Sequence, residues 1–279
     1  MTTNHVSLTD APLVLVPQHF GCIVYDRRTC QYLPFDREAT GVLRDLSRRS
    51  LAEVLAACPD APERARILAF CDWGSALGLF TLDDRWAGAV LEITPPHDHL
   101  TGPLTVHLEL TARCNLQCRH CFAESSPSRG THDELPLDEL EQLFVDMASC
   151  GAFRLGITGG EPLLRGDLAD VLRLAGRHGL SPCLTTNGLL ITDDLARQLA
   201  DMRLAWLNVS LDGASARTHD AVRGPGAFER TLSRITVLRR HVPFSLAFTV
   251  MAQNLDEIGV CAQLARDVGA QAAVFRPLY

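Results

Sequence analysis

The sequence predicts an α/β protein whose larger part is a six-stranded parallel sheet, preceded by a small α+β module. Three observations carry that reading. From residue 104 onward, short apolar runs alternate with amphipathic stretches of helical period, the pattern of parallel strands joined by right-handed crossovers. Before residue 90 the order differs: three short apolar runs come first and three helical stretches follow. Between them lies Pro95-Pro96-His97-Asp98-His99, a stiff, extended linker. The expected boundaries are 1–90, 91–103 and 104–279.

In the first module Leu13 to Val16, Gly21 to Tyr25 and Cys30 to Phe35 read as strands, with a turn at Tyr25-Asp26-Arg27-Arg28. Asp36 caps a helix with apolar positions Ala39, Val42, Leu43 and Leu46. Ser50 caps a second, with Leu51, Val54 and Leu55 inward. Pro59 and Pro62 break the chain before a third, which carries Ala65, Leu68, Ala69 and Trp73. Gly78-Leu79-Phe80-Thr81-Leu82 reads as a closing strand or wing. His97 and His99 lack flanking ligands and read as solvated.

In the larger part, strands are expected at 104–110, 153–158, 181–186, 204–211, 243–251 and 271–276. Helices are expected at about 136–149, 167–178, 192–201, 226–241 and 254–267. Six strands are too few for a closed eight-stranded barrel. The first strand leads into Cys114-Asn115-Leu116-Gln117-Cys118-Arg119-His120-Cys121, three cysteines on a loop at a strand's C-terminal end. Three thiolates there can hold three corners of a [4Fe–4S] cluster and leave one iron open. The alternative is a closed zinc site with His120 as fourth ligand. Gly159-Gly160-Glu161-Pro162 ends the next strand, where two glycines let backbone approach a ligand closely.

Together the cysteine spacing and the Gly-Gly-Glu-Pro turn resemble the radical S-adenosylmethionine (SAM) superfamily, in its SPASM-like peptide-maturase branch, and argue against zinc. The resemblance covers 104–279 and implies a six-stranded partial (β/α) barrel, open on one side. It implies that Cys114, Cys118 and Cys121 ligate a [4Fe–4S] cluster whose open iron is chelated by SAM. The backbone of Gly159, Gly160 and Glu161 would accept hydrogen bonds from the SAM amino group. Thr186-Asn187-Gly188 resembles the family's Thr-Asn-Gly element, putting Asn187 near the cofactor; a plain turn is the other reading. Ser210 resembles the serine that contacts SAM in the peptide-modifying branch. Arg223 would pair with the SAM carboxylate, unless it is a solvated surface arginine, and the His120 ring would lie by the adenine. His219 and Asp220 read as a helix-start pair without a role.

The first module resembles the winged-helix, PqqD-like peptide-recognition domain, on the Gly21–Asp26 strand, the Asp36–Leu46 helix and the Ser50-Leu51-Ala52-Glu53 start. In that family the third strand and third helix clamp a leader peptide by strand addition. A generic packing or dimerisation module is the alternative. Arg27 and Arg28 make no basic stripe for DNA.

The chain has 279 residues and a net charge of −7, which argues against a nucleic-acid partner. No apolar run reaches a membrane span and Met1 to Asp10 lacks the regions of a signal peptide, so no membrane role and a cytoplasmic location are expected. Ten cysteines, mostly within apolar runs, read as reduced thiols, and those outside the loop lack cluster spacing. The chain ends after its sixth strand, so it is either a minimal enzyme or a fragment lacking an auxiliary-cluster domain. The function these resemblances imply is reductive cleavage of SAM to a 5′-deoxyadenosyl radical that modifies a ribosomally made precursor peptide by crosslink, thioether or epimerisation. The partners are that peptide's leader and an electron donor such as flavodoxin or ferredoxin. The alternatives are a small metabolite or tetrapyrrole as substrate, and a non-catalytic peptide-binding partner.

Overall fold

The computed structural model describes residues 7–80, 85–131, 134–202 and 204–278. They form two units: the described residues of Met1–Leu104 with Val145–Phe153 and His178–Leu180, and those of Thr105–Phe144, Arg154–Arg177 and Ser181–Tyr279.

The first unit starts with an antiparallel hairpin, β1 (Leu13–Gln18) and β2 (Gly21–Asp26), both buried along nearly their whole length. Their side chains are apolar on both faces, as strands covered on both sides must be. β3 (Gln31–Asp36) pairs antiparallel with β2, and β4 (Ala89–Val90) pairs parallel with β1, giving the order β3-β2-β1-β4. Gly21 is required at the β2–β3 crossing: a β-carbon there would lie 2.4 Å from the Phe35 carbonyl oxygen. Among the described residues no strand pairs with the outer side of β3, which contains Pro34. Proline has no N–H to give, so it occupies a position whose amide faces away from β2, a direction shared by Tyr32 and Asp36.

Asp36 accepts from the Ala39 amide and caps α1 (Arg37–Leu46). Ser50 and Glu53 form a reciprocal capping box at α2 (Leu51–Ala57). The inward face of α3 (Ala61–Ala76) is Ile67, Cys71 and Gly74, so the sequence reading of this helix needs correcting: Leu68 and Trp73 are exposed. α3 is apolar on several faces, so spacing alone does not select one, and Gly74 admits the Phe80 ring. Trp73 and Phe70 instead lie against Phe35 of β3 in an aromatic strip. Phe80 and Trp86 form an antiparallel bridge, while Thr81 and Leu82 of the expected wing lie outside the described residues.

The second unit is one parallel sheet in sequence order: β5 (Thr105–Glu109), β6 (Arg154–Thr158), β7 (Ser181–Thr186), β8 (Trp206–Ser210), β9 (Ser245–Val250) and β10 (Ala272–Pro277). Its crossover helices are α4 (Leu137–Ser149), α5 (Leu168–Arg177), α6 (Asp193–Ala200), α8 (Ala227–Leu238) and α9 (Ile258–Asp267). One more helix, α7 (Ala216–Arg223), was not anticipated, because Arg217, His219, Asp220 and Arg223 hide its short apolar face. His219 and Asp220 both lie inside α7 rather than at its start, and the Asp220 carboxylate accepts from the amides of Gly226 and Phe228 at the start of α8. No helix among the described residues is long and apolar enough to cross a membrane.

Candidate active site

Parallel strands all present their C-terminal ends on one side, and the loops there build the site. The loop after β5 is pinned at several points. The Leu110 amide donates to the Thr158 carbonyl (2.9 Å), Cys114 to Ser126 (3.2 Å) and Arg119 to Val222 of α7 (2.9 Å). A cavity of about 580 Å³, within the range that holds a cofactor-sized molecule, is lined by Cys114, Cys118, Cys121, His120, Gly159, Gly160, Asn187, Ser210 and Arg223. Of the residues singled out from the sequence, Glu161 is the one that does not line it.

Glu161 is fully buried beneath the turn. Its carboxylate accepts from Thr186 Oγ1 (2.6 Å), the Asn187 amide (2.7 Å) and the Leu163 amide (3.1 Å), stapling the turn after β6 to the end of β7. Burial pushes this carboxyl above the usual range, and the three donors oppose that. The glycines before it serve the chain's own backbone. A β-carbon on Gly160 would lie 2.0 Å from the Arg113 carbonyl oxygen, and one on Gly159, at φ +123°, would lie 2.4 Å from that of Thr111. The Gly160 and Glu161 amides donate to those same two carbonyls. The turn is thus pressed onto the first residues of the cysteine loop.

Asp212, which the sequence reading passed over, organises the opposite wall. It is buried just beyond β8. Arg223 Nε donates to its Oδ2 at 2.5 Å, His120 Nε2 lies 3.3 Å from the same oxygen, and the Thr249 amide donates to Oδ1 at 2.9 Å. Its own amide donates to His219 Nδ1 (3.1 Å), and its carbonyl accepts from Asn254 (3.0 Å). Burial alone would raise the Asp212 carboxyl, but the Arg223 charge holds it below the usual range. Burial lowers His120, with Asp212 opposing. Burial would lower Arg223, but the Asp212 carboxylate leads the groups that more than offset it. Arg223 is therefore a buried cation on the cavity wall, and the solvated-surface reading is set aside. The signal for Asp212 was an acidic residue at a strand's C-terminal exit, with a basic one a few turns on.

These residues fit the group the sequence implies. Among the described residues no three His, Cys, Asp or Glu side chains converge on a single metal ion, as closed zinc requires. The three thiols instead all line the same cavity, and a cluster takes one thiolate per iron. His120 Nδ1 is buried without a protein partner. Burial raises the Cys114 and Cys118 thiols, with Arg223 pulling both down.

The profile of the radical SAM superfamily matches residues 108–265, more than half of the chain. The AdoMet-dependent heme synthase of Methanosarcina barkeri is 44% identical over 173 residues, 61% of this chain and 49% of that protein. Mycofactocin maturase MftC of Mycolicibacterium smegmatis is 32% identical over 179 residues, 63% of this chain and 45% of that protein. The chain thus spans about half the length of the curated relatives it matches. Streptococcus suis SuiB bound to precursor peptide SuiA superposes with a TM-score of 0.69 over 96% of this chain and 62% of that one; at 14% identity this is a likeness of fold. With its parallel α/β sheet, its cysteine loop and this family match, the chain belongs to the radical SAM superfamily, enzymes that work with a [4Fe–4S] cluster and SAM.

Proposed function

We propose that this enzyme modifies a ribosomally made precursor peptide, through a core domain at 104–279 built as a partial barrel, a linker at 91–103 and a PqqD-like winged-helix domain at 1–90. The observation that carries the reading is the open β3 edge beside the aromatic strip of α3. Next to it, Asp36, Glu38, Val42, Arg66, Ile67 and Phe70 line a hollow of about 130 Å³, room for one side chain. An edge strand with adjacent pockets suits an extended leader, which gains affinity from main-chain bonds and selectivity from side chains. The name of MftC, a maturase, and the peptide-bound state of SuiB support the same reading.

Cys114, Cys118 and Cys121 would hold the cluster, and Arg223, fixed by Asp212, would offer its remaining N–H groups to the SAM carboxylate. Ser210 and the Gly159–Glu161 backbone would bind the rest of the amino-acid moiety, with His120 beside the adenine. When bound, the reduced cluster and SAM supply a 5′-deoxyadenosyl radical, and the protein's part is to orient substrate and exclude water. A flavodoxin- or ferredoxin-type donor would supply the electron.

A second reading, tetrapyrrole modification, is favoured by the 44% identity to a heme synthase. One experiment separates the two. Anaerobically reconstituted protein, SAM and reductant are mixed with a short peptide encoded beside the gene or with an iron coproporphyrin. A mass change in the peptide, stoichiometric with 5′-deoxyadenosine, supports the first reading; coupled tetrapyrrole conversion with the peptide untouched overturns it.

A further inference from the structure

Asn187 is buried, and each of its polar groups is committed. Its amide donates to Glu161 Oε2 (2.7 Å), and its carbonyl accepts from Thr231 Oγ1 (3.4 Å). Its side-chain oxygen accepts from the Leu189 amide (3.0 Å), which fixes which way the carboxamide points. The NH2 end is thereby aimed at the cysteine loop. One N–H donates to Asn115 Oδ1 at 2.7 Å, and the other faces Cys114 Sγ at 4.0 Å. The Leu116 amide also donates to that sulfur, at 3.4 Å. Among the described residues, Cys114 is the one loop cysteine whose sulfur receives hydrogen bonds.

We propose that Asn187 is a positioning residue that sets the reduction potential of the cluster through an N–H···S bond to Cys114. Reduction adds negative charge to the cluster and its thiolates. A donor aimed at a thiolate stabilises the reduced form more than the oxidised one and raises the potential. Glu161, in the turn after β6, fixes the Asn187 backbone from which that donor extends. Asn187 thus links the glycine turn to the electronics of the cluster. This rests on Cys114 being a cluster ligand.

The test is an EPR-monitored redox titration of the full chain, reconstituted anaerobically without SAM, with iron and sulfide measured alongside. Asn187→Ala should make reduction about tenfold less favourable, a negative shift of about 59 mV for a one-electron couple. Asn187→Asp, which replaces the donor with a charge, should shift it further the same way. Asn115→Ala removes the competing acceptor and keeps the donor, so the potential should hold or rise. An unchanged potential in Asn187→Ala overturns the proposal. So does an equal fall in Asn115→Ala, which would mean general loosening, and so does loss of the cluster from both Asn187 variants, which would mean a structural role alone. Full cluster content in Cys114→Ala would instead sink the ligand assignment, a separate failure.

Discussion

Gly160 has no room for a side chain, and the obstacle is the backbone of Arg113 rather than a movable group. Gly160→Val should therefore destabilise the protein by about 1–3 kcal/mol, the usual scale of overpacking, and also weaken SAM binding by displacing the turn. Calorimetry and equilibrium dialysis check both; equal SAM affinity would contradict the placement of this turn. Cluster content gives a second check. The Cys114, Cys118 and Cys121 triple alanine variant should reconstitute with essentially no iron or sulfide. His219 gives a third. Burial, aided by the nearby Arg223 charge, pushes it from 6.5 down to about 4, so it is neutral in the fold at pH values where the unfolded chain already binds a proton. Stability should fall as pH drops from about 6.5 towards 4, by on the order of 3 kcal/mol at about 1.4 kcal/mol per unit. His219→Gln should flatten that slope in thermal melts. The cysteines and glycines were legible in the sequence because their chemistry is tied to fixed spacing. Asp212 was not, because its partners His120, Arg223 and Thr249 come from three separate segments.

At the level of elements, strands were legible from apolar runs, and helices from caps such as Asp36 and Ser50. α7 was not, because an eight-residue helix with four charged or imidazole side chains carries no clear apolar period. The face of α3 was misjudged for the opposite reason, an excess of apolar positions. Its rotation leaves Trp73 51% exposed beside the β3 edge. Trp73→Ala should therefore change global stability by less than about 1 kcal/mol, as exposed substitutions do, yet weaken leader binding about tenfold or more. Fluorescence anisotropy of a labelled leader measures the second quantity. Unchanged affinity would remove α3 from the recognition surface.

At the scale of the whole molecule, Val145–Phe153 and His178–Leu180 cluster with the first hundred residues, and the Tyr32 hydroxyl accepts from the Phe153 amide at 3.0 Å. Excising residues 1–90 would strip these segments of their cover, so point variants probe recognition more cleanly than truncation. If the leader is captured in the first unit, the attached core peptide is held at high effective concentration. Intact precursor should then be modified at least a hundredfold more efficiently than leaderless core peptide. Trp73→Ala should erase most of that advantage while uncoupled SAM cleavage persists. The ratio of modified peptide to 5′-deoxyadenosine, followed by mass spectrometry, is the readout. An equal ratio for intact and leaderless substrates would remove leader capture from the first unit and leave it a packing or dimerisation module.

Pro34 bears on how the molecule behaves in company. An uncovered strand tends to zip onto the same strand of a neighbouring copy, and a purified protein with such an edge drifts into soluble oligomers and then precipitate. The missing N–H at Pro34 puts a gap midway along β3. Two identical copies meeting edge to edge would each bring a gap, whereas a foreign ribbon can be written to place an unneeded acceptor opposite it. The proline thus acts as a gatekeeper that lowers self-adhesion more than it lowers capture of a matched sequence. Pro34→Val should restore the ladder at the expense of colloidal stability, seen as earlier-eluting species in size-exclusion chromatography as concentration rises.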